Sequence, residues 1–307
     1  MTALTASPRI DDTIGLQDGR SLAYAEWGDP DGQPVFLLHG SPDSRLFCPD
    51  TYRRVDRTSA ECGARLITLD RPGYGKSAAR PGLTLLGWVD DFVQLADALR
   101  LERFGVTALS GGGPYGLACG VRIPERIIRL GLVSTMAPQD EIPRLGEDDW
   151  PERAAVLELV RRDPYLAVDA VNRREAWAVE TPEALADPAN WPEVDRWATE
   201  DPEIARAFVD EHREAIRQGL TGATWDWIAR NAPWGFSTRD VVTETFIWHG
   251  DHDEILPLNN FEFLASTIPG ARSKLWKDEG HLAILRGPHW GEVLTTLISG
   301  HVDDDAV

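Results

Sequence analysis

Five short stretches of the chain are almost continuously apolar: 35–38, 65–69, 104–109, 127–133 and 246–248. Strands buried on both faces lose the apolar/polar alternation of a half-exposed strand, so these runs predict a sheet covered on both sides. Upstream of them, TIGLQ and SLAYAEWG flank Asp18-Gly19, which predicts an N-terminal β-hairpin over 13–28. Residues 85–101 carry Leu85, Trp88, Val89, Phe92, Leu95, Ala96 and Leu99 at three-and-four spacing, the stripe of an amphipathic helix. A second helix, 114–121, follows the 104–109 run directly. Strand and helix in alternation mean a mostly parallel, doubly wound α/β sheet, whose ligand site lies outside the carboxyl ends of the strands.

The alternation stops after Ser134. No strand pattern is present over 136–240, where helix formers dominate, notably 154–162 and 204–218. Seven of the twelve tryptophans fall here: Trp150, Trp177, Trp191, Trp197, Trp225, Trp227 and Trp234. The expected organisation is a core of 1–135 and 241–307, with 136–240 as a helical cap before the acid-bearing strand. Most of these tryptophans suit the cap's own core, and a few suit the wall of an apolar pocket.

Composition narrows the function classes. The chain of 307 residues is 42% hydrophobic and 26% charged, ordinary for a globular protein. A net charge of −19 repels phosphate backbones and anionic lipid, so nucleic acid and membrane surfaces are poor partners. No run reaches the ~18 apolar residues of a membrane span, and the first residues lack a secretory pattern. Cys48, Cys62 and Cys119 are odd in number and widely spaced, which suits free thiols in a cytoplasmic protein. The histidines and cysteines show no paired metal-ligand spacing, and no metal or cofactor is expected. The expected partner is a small-molecule substrate; an apolar cap surface would also support a homodimer.

The chemistry concentrates at strand ends. The run 104–109 leads straight into Ser110, then Gly111-Gly112-Gly113, then a helix. A serine at a sharp strand-to-helix turn is lifted into the cleft, and the helix N-terminus offers N–H groups to a developing oxyanion. The pattern is G-x-S-x-G with Ala108 in place of the first glycine, a mild change because alanine is the next smallest residue. The alternative is a glycine-rich turn with a structural serine. An isolated serine is unreactive without a positioned base. Of seven histidines, His281 alone follows a late strand-like run and a turn, and then heads a helical-looking 282–285. His39 reads as structural, and His212, His289 and His301 as surface residues. For the acid, the loop Gly250-Asp251-His252-Asp253 offers Asp253, with Asp251 as its competitor; three residues past the strand end, Asp253 has the better reach across the cleft.

These elements together resemble the α/β-hydrolase fold family, in its capped serine-hydrolase subgroup. His39-Gly40-Ser41-Pro42 is similar to the family's H-G-x-P loop, and 70–77 (DRPGYGKS) to its D-R-x-G-x-G-x-S element. Gly250 to Asp253 resembles the G-x-x-D acid motif, which favours Asp253, and Gly280-His281 the histidine turn. The order serine, acid, histidine is kept, and the likeness spans about residues 13–300. It implies Ser110, Asp253 and His281 as catalytic triad, with the backbone N–H groups of Ser41 and Gly111 as the oxyanion hole. A serine at the elbow argues against epoxide hydrolases and dehalogenases, whose elbow residue is aspartate. The prolyl-iminopeptidase subgroup is less well matched, lacking the tryptophan after the serine and the H-G-G-P-G loop. The reading is hydrolysis of a carboxylic ester or lactone of a small to medium, partly aromatic molecule. The alternatives are C–C bond hydrolysis or rearrangement on the same triad, and ligand binding without turnover on a hydrolase scaffold.

Overall fold

In the computed structural model, which describes residues 7–52, 57–139, 141–142 and 151–301, the apolar runs pair into one eight-stranded sheet. The strands are β1 (Ile10–Gly15), β2 (Ser21–Gly28), β3 (Gln33–Leu38), β4 (Ala64–Leu69), β5 (Phe104–Leu109), β6 (Ile127–Val133), β7 (Thr245–Gly250) and β8 (Arg272–Trp276), in the order β1-β2-β4-β3-β5-β6-β7-β8. The hairpin strands are antiparallel, with β2 joined antiparallel to β4; from β4 to β8 every pairing is parallel. The hairpin starts three residues earlier than its sequence pattern suggested, because Ile10 pairs with Glu26.

The helices are α1 (Thr58–Glu61), α2 (Leu85–Ala98), α3 (Gly113–Arg122), α4 (Arg153–Arg162), α5 (Val168–Glu175), α6 (Trp177–Glu180), α7 (Arg196–Glu200), α8 (Pro202–Ala215), α9 (Thr221–Asn231), α10 (Asn259–Thr267) and α11 (Gly287–Ser299). Helix α2 opens where the Thr84 hydroxyl accepts the Gly87 N–H at 3.1 Å. Helix α8 begins two residues before the predicted stretch, since Asp201 caps it at Glu203 N, 2.9 Å, and Pro202 fills the first turn. Both faces of the sheet are covered, as the continuous apolar runs require. Phe36, Val106 and Leu130 face α2 and α3, while Val35, Leu37, Phe246 and Trp248 face α11. On the first face Phe36, Phe92 and Phe104 meet edge-on, with ring centroids 4.7 to 5.6 Å apart.

Between β6 and β7 the described residues contain helices and turns but no strand. Of the seven tryptophans there, Trp225, Trp227 and Trp234 are buried and pack against the α2–α3 side of the core. Trp191 and Trp197 are half-buried, Trp177 is partly exposed, and Trp150 lies outside the described residues. The stretch 282–285 is a short 3-10 turn rather than α-helix. Cys48, Cys62 and Cys119 are all free thiols. No helix among the described residues is long and apolar enough to cross a membrane.

Candidate active site

The end of β5 carries the site's most constrained backbone. Ser110 has φ +51°, a conformation unusual for a residue with a side chain, and it ends the strand in a single 3-10 turn before α3. The glycines behind it make that turn sterically feasible. A Cβ on Gly112 would sit 2.4 Å from the Leu38 carbonyl oxygen, and one on Gly113 would be 1.4 Å from Thr135 Oγ1. That same Thr135 hydroxyl donates to the Ser110 carbonyl at 2.7 Å, tying the elbow to the end of β6.

His281 follows β8 and is buried in the same region. Its Nδ1 lies 2.8 Å from Asp253 Oδ2, while Asp253 Oδ1 accepts the N–H groups of Ile255 and Leu256 at 2.9 and 2.8 Å. Burial disfavours the imidazolium, but Asp253 outweighs it and raises the His281 pKa above its ordinary 6.5. Burial likewise pushes Asp253 up, and His281 more than offsets it, so the carboxyl lies below its usual range. Asp251 points to other company: it meets the Nδ1 of its neighbour His252 at 2.7 Å. With Asp278 these two form a largely exposed group whose ligand atoms lie within 4.8 Å of one another.

The Ser41 loop is held from two sides. Arg71, wholly buried, donates to the carbonyl oxygens of His39 and of Gly40 (2.6 Å) and to Ser41 Oγ (2.6 Å). Asp226, on α9, accepts from Arg71 Nε at 2.9 Å, Ser41 Oγ at 2.5 Å, Tyr74 OH at 3.1 Å and Arg230 Nε at 3.0 Å. Burial alone would raise the Asp226 pKa; the two guanidinium groups reverse this and hold it well below the carboxylate range. Ser41 and Gly111 lie side by side, since a Cβ on Gly111 would stand 2.6 Å from Ser41 Oγ. His39 is buried, with Nδ1 2.8 Å from the Gly40 carbonyl and Nε2 accepting the Arg71 N–H at 3.3 Å, a structural placement.

Two chambers meet at Ser110. One, about 420 Å³, is polar and carries Arg153, Arg174, Arg230, Asn231 and Asn260. The other, about 330 Å³, is walled mainly by Phe47, Leu109, Trp191, Phe208 and Leu282, with His281 on its lining. Ser41, Pro42, Trp177 and Ile255 border both.

Several contributors were not visible in the sequence. Asp195, in the turn before α7, accepts the backbone N–H groups of His281 and Leu282 at 2.9 Å each. The glycine of the Gly280-His281 turn makes room for it, because a Cβ there would meet both Asp195 oxygens at 2.5 Å. Asp226 had a readable signal, an acid within the apolar run Trp225-Asp226-Trp227-Ile228-Ala229; Asp195 had none. His212 corrects an expectation: it is 1% exposed rather than a surface residue, because α8 turns it inward against Trp177. His289 is half-buried, stacked on Trp276, and His301 is exposed as expected.

Comparison with known proteins agrees with this architecture. The profile of the alpha/beta hydrolase fold family matches residues 33–288. The chain is 28% identical to a proline iminopeptidase of Xylella fastidiosa, covering 87% of this chain and 89% of that one. It is 26% identical to a 2-hydroxymuconate semialdehyde hydrolase of Pseudomonas putida, covering 92% and 91%. Among solved structures, a hydrolase from Pseudomonas aeruginosa superposes with TM-score 0.71 at 23% identity, over 95% of this chain and all of the other. The chain belongs to the α/β-hydrolase fold family and is a hydrolase.

Proposed function

Taking this hydrolase membership as the premise, we propose that the chain is a serine hydrolase that cleaves a carboxylic ester or lactone of a small to medium, partly aromatic molecule. The observation that carries the reading is His281, bonded through Nδ1 to Asp253, on the wall of a chamber that Ser110 also lines. With Nδ1 donating to the carboxylate, Nε2 is left as the base. It takes the Ser110 hydroxyl proton as Oγ bonds to the substrate carbonyl carbon, and the oxyanion is received by the N–H groups of Ser41 and Gly111. Each such donor is worth about 2.7–4 kcal/mol in the transition state. Collapse breaks the bond to the leaving oxygen, which takes the proton from His281. Water, deprotonated by His281, then releases the acid and restores Ser110.

The segment 136–240 acts as the cap over this site. Its tryptophans Trp177, Trp191 and Trp227 line the chambers, which supports an aromatic substrate component. A second reading, C–C bond cleavage next to a ketone, draws on a different observation. Arg230 Cζ would lie 3.3 Å from a Cβ on Gly111, so its guanidinium borders the oxyanion position and would suit an acid group near the reacting carbonyl.

The test is hydrolysis of p-nitrophenyl butyrate and labelling by a fluorophosphonate, in the wild type and Ser110→Ala. Both activities are expected in the wild type and absent in the variant. Full turnover by Ser110→Ala would overturn the nucleophile assignment. Labelling without ester turnover would move the bond from ester to C–C.

A further inference from the structure

The apolar chamber beside Ser110 holds polar groups that the triad does not use. Asp43 keeps accessible surface and lines it. A Cβ on Gly40 would lie 2.6 Å from Asp43 Oδ2 and 3.5 Å from Ser110 Cβ, so this carboxylate and the nucleophile flank one backbone position. Asp43 is hydrogen-bonded to Glu211, which reaches in from α8 and also accepts the Ser44 N–H. Two carboxyl groups in contact cannot both ionise cheaply, and they share a proton. Burial raises the pKa of both, in keeping with one proton held between them.

A separate observation points to a ligand. His212 lines the same chamber and is 1% exposed. Its Nε2 lies 2.9 Å from the Ala178 carbonyl, which fixes Nε2 as the donor, and its Nδ1 has no hydrogen-bond partner among the described residues. A buried acceptor without a donor is costly unless the site's occupant satisfies it. The remaining walls are mostly apolar, with Phe47, Phe208, Trp177 and Trp191 as their aromatic part. About 330 Å³ is ample for one substituted ring, given that an apolar cavity of about 150 Å³ already takes benzene.

We infer that this chamber recognises an aromatic ring bearing a hydrogen-bond donor, a hydroxyl, whose one proton His212 Nδ1 receives, with Asp43 on the lining of the same chamber. The inference rests on the serine-hydrolase reading, and it deepens that reading from an aromatic substrate to a hydroxylated one.

Binding, measured apart from turnover, tests it. Ser110→Ala would be titrated calorimetrically with methyl 4-hydroxyphenylacetate and with methyl phenylacetate. The hydroxylated ester is expected to bind about tenfold more tightly, the scale of one hydrogen bond to a buried acceptor that otherwise goes unpaired. That advantage should fall to about twofold when either His212→Phe or His212→Leu is added, two variants that need not both fold for the result to stand. Equal binding of the two esters, binding of neither, or an advantage that survives both substitutions would overturn the inference. Because the nucleophile is already absent from the binding protein, a failure of the Ser110 mechanism is read in the turnover assay and not in this one.

Discussion

The Asp195 carboxylate receives the backbone N–H of His281 at 2.9 Å, so the histidine is fixed through its main chain by one acid and through its ring by another, Asp253. Asp195 belongs to the helical stretch between β6 and β7, and His281 to the loop after β8. Two segments 86 residues apart therefore define one side-chain position.

Asp195→Ala should leave two buried N–H groups without acceptors, at a cost of about 1–3 kcal/mol each where water cannot replace it. We expect kcat for p-nitrophenyl butyrate to fall at least tenfold, with KM changed less, since the loss is of orientation and not of binding. A proportional rise in KM alone would contradict this role.

Asp226→Ala removes the partner of the fully buried Arg71 guanidinium. Breaking one side of such a pair costs about 3–5 kcal/mol, so a fall in Tm of several degrees or more is expected. The conservative Asp226→Asn should retain more of the fold while still depressing kcat, because Ser41 loses an anionic anchor. Unfolding by calorimetry together with steady-state kinetics separates the two effects.

On the proposed mechanism, the acid limb of kcat/KM reports His281 in the free enzyme. Only the neutral ring can take the Ser110 proton, so activity rises with pH through the His281 pKa, which Asp253 lifts above 6.5. The inflection should therefore lie on the alkaline side of 6.5. In Asp253→Asn that support is lost; the limb should move to lower pH while the plateau drops sharply, as the ring is no longer held in the required tautomer.

Glu211 titrates well above its ordinary 4.5 because it is buried against Asp43. A raised carboxyl pKa favours the folded state below about pH 4.5, and that contribution is lost as the pH climbs toward the folded value. Ser44 N–H, Tyr52, His212, Arg71 and His281 are the polar and charged groups that surround the pair. Glu211→Gln keeps one acceptor and one donor without the ionisation. Its Tm relative to wild type should rise between pH 5 and 9; a constant difference across that range would refute a shared proton.

How much of this was legible in the chain depends on the range of the signal. Strands such as 104–109 and 246–248 announce themselves because burial on both faces demands uninterrupted apolar residues. Ser110 and His281 are marked by their neighbours, small residues at the elbow and Gly280 at the turn. The surroundings of these residues were not readable. Asp43 and Glu211 meet across 168 positions, and nothing local distinguishes Glu211 from the other acids of an acidic helix. The burial of His212 is hidden for the same reason: periodicity reports the apolar face of a helix, and a polar side chain turned inward to meet a cavity has no periodic mark. Long-range polar contacts are properties of the fold, and only the assembled chain contains them.

Asp195 and Asp226 bear on how this scaffold could be re-engineered. Exchanging the helical segment for that of another family member is an obvious route to new specificity, yet here the exchanged piece would carry away two anchors of the reaction centre. One anchor grips the loop of His281, and the other the Ser41 loop beside Gly111. A transplanted segment would have to bring both carboxylates to the same places, or the recipient would gain a new roof over a disordered hearth. Grafts that keep 195 and 226 as aspartates, varying only the walls of the chambers, separate the choice of substrate from the assembly of the machinery.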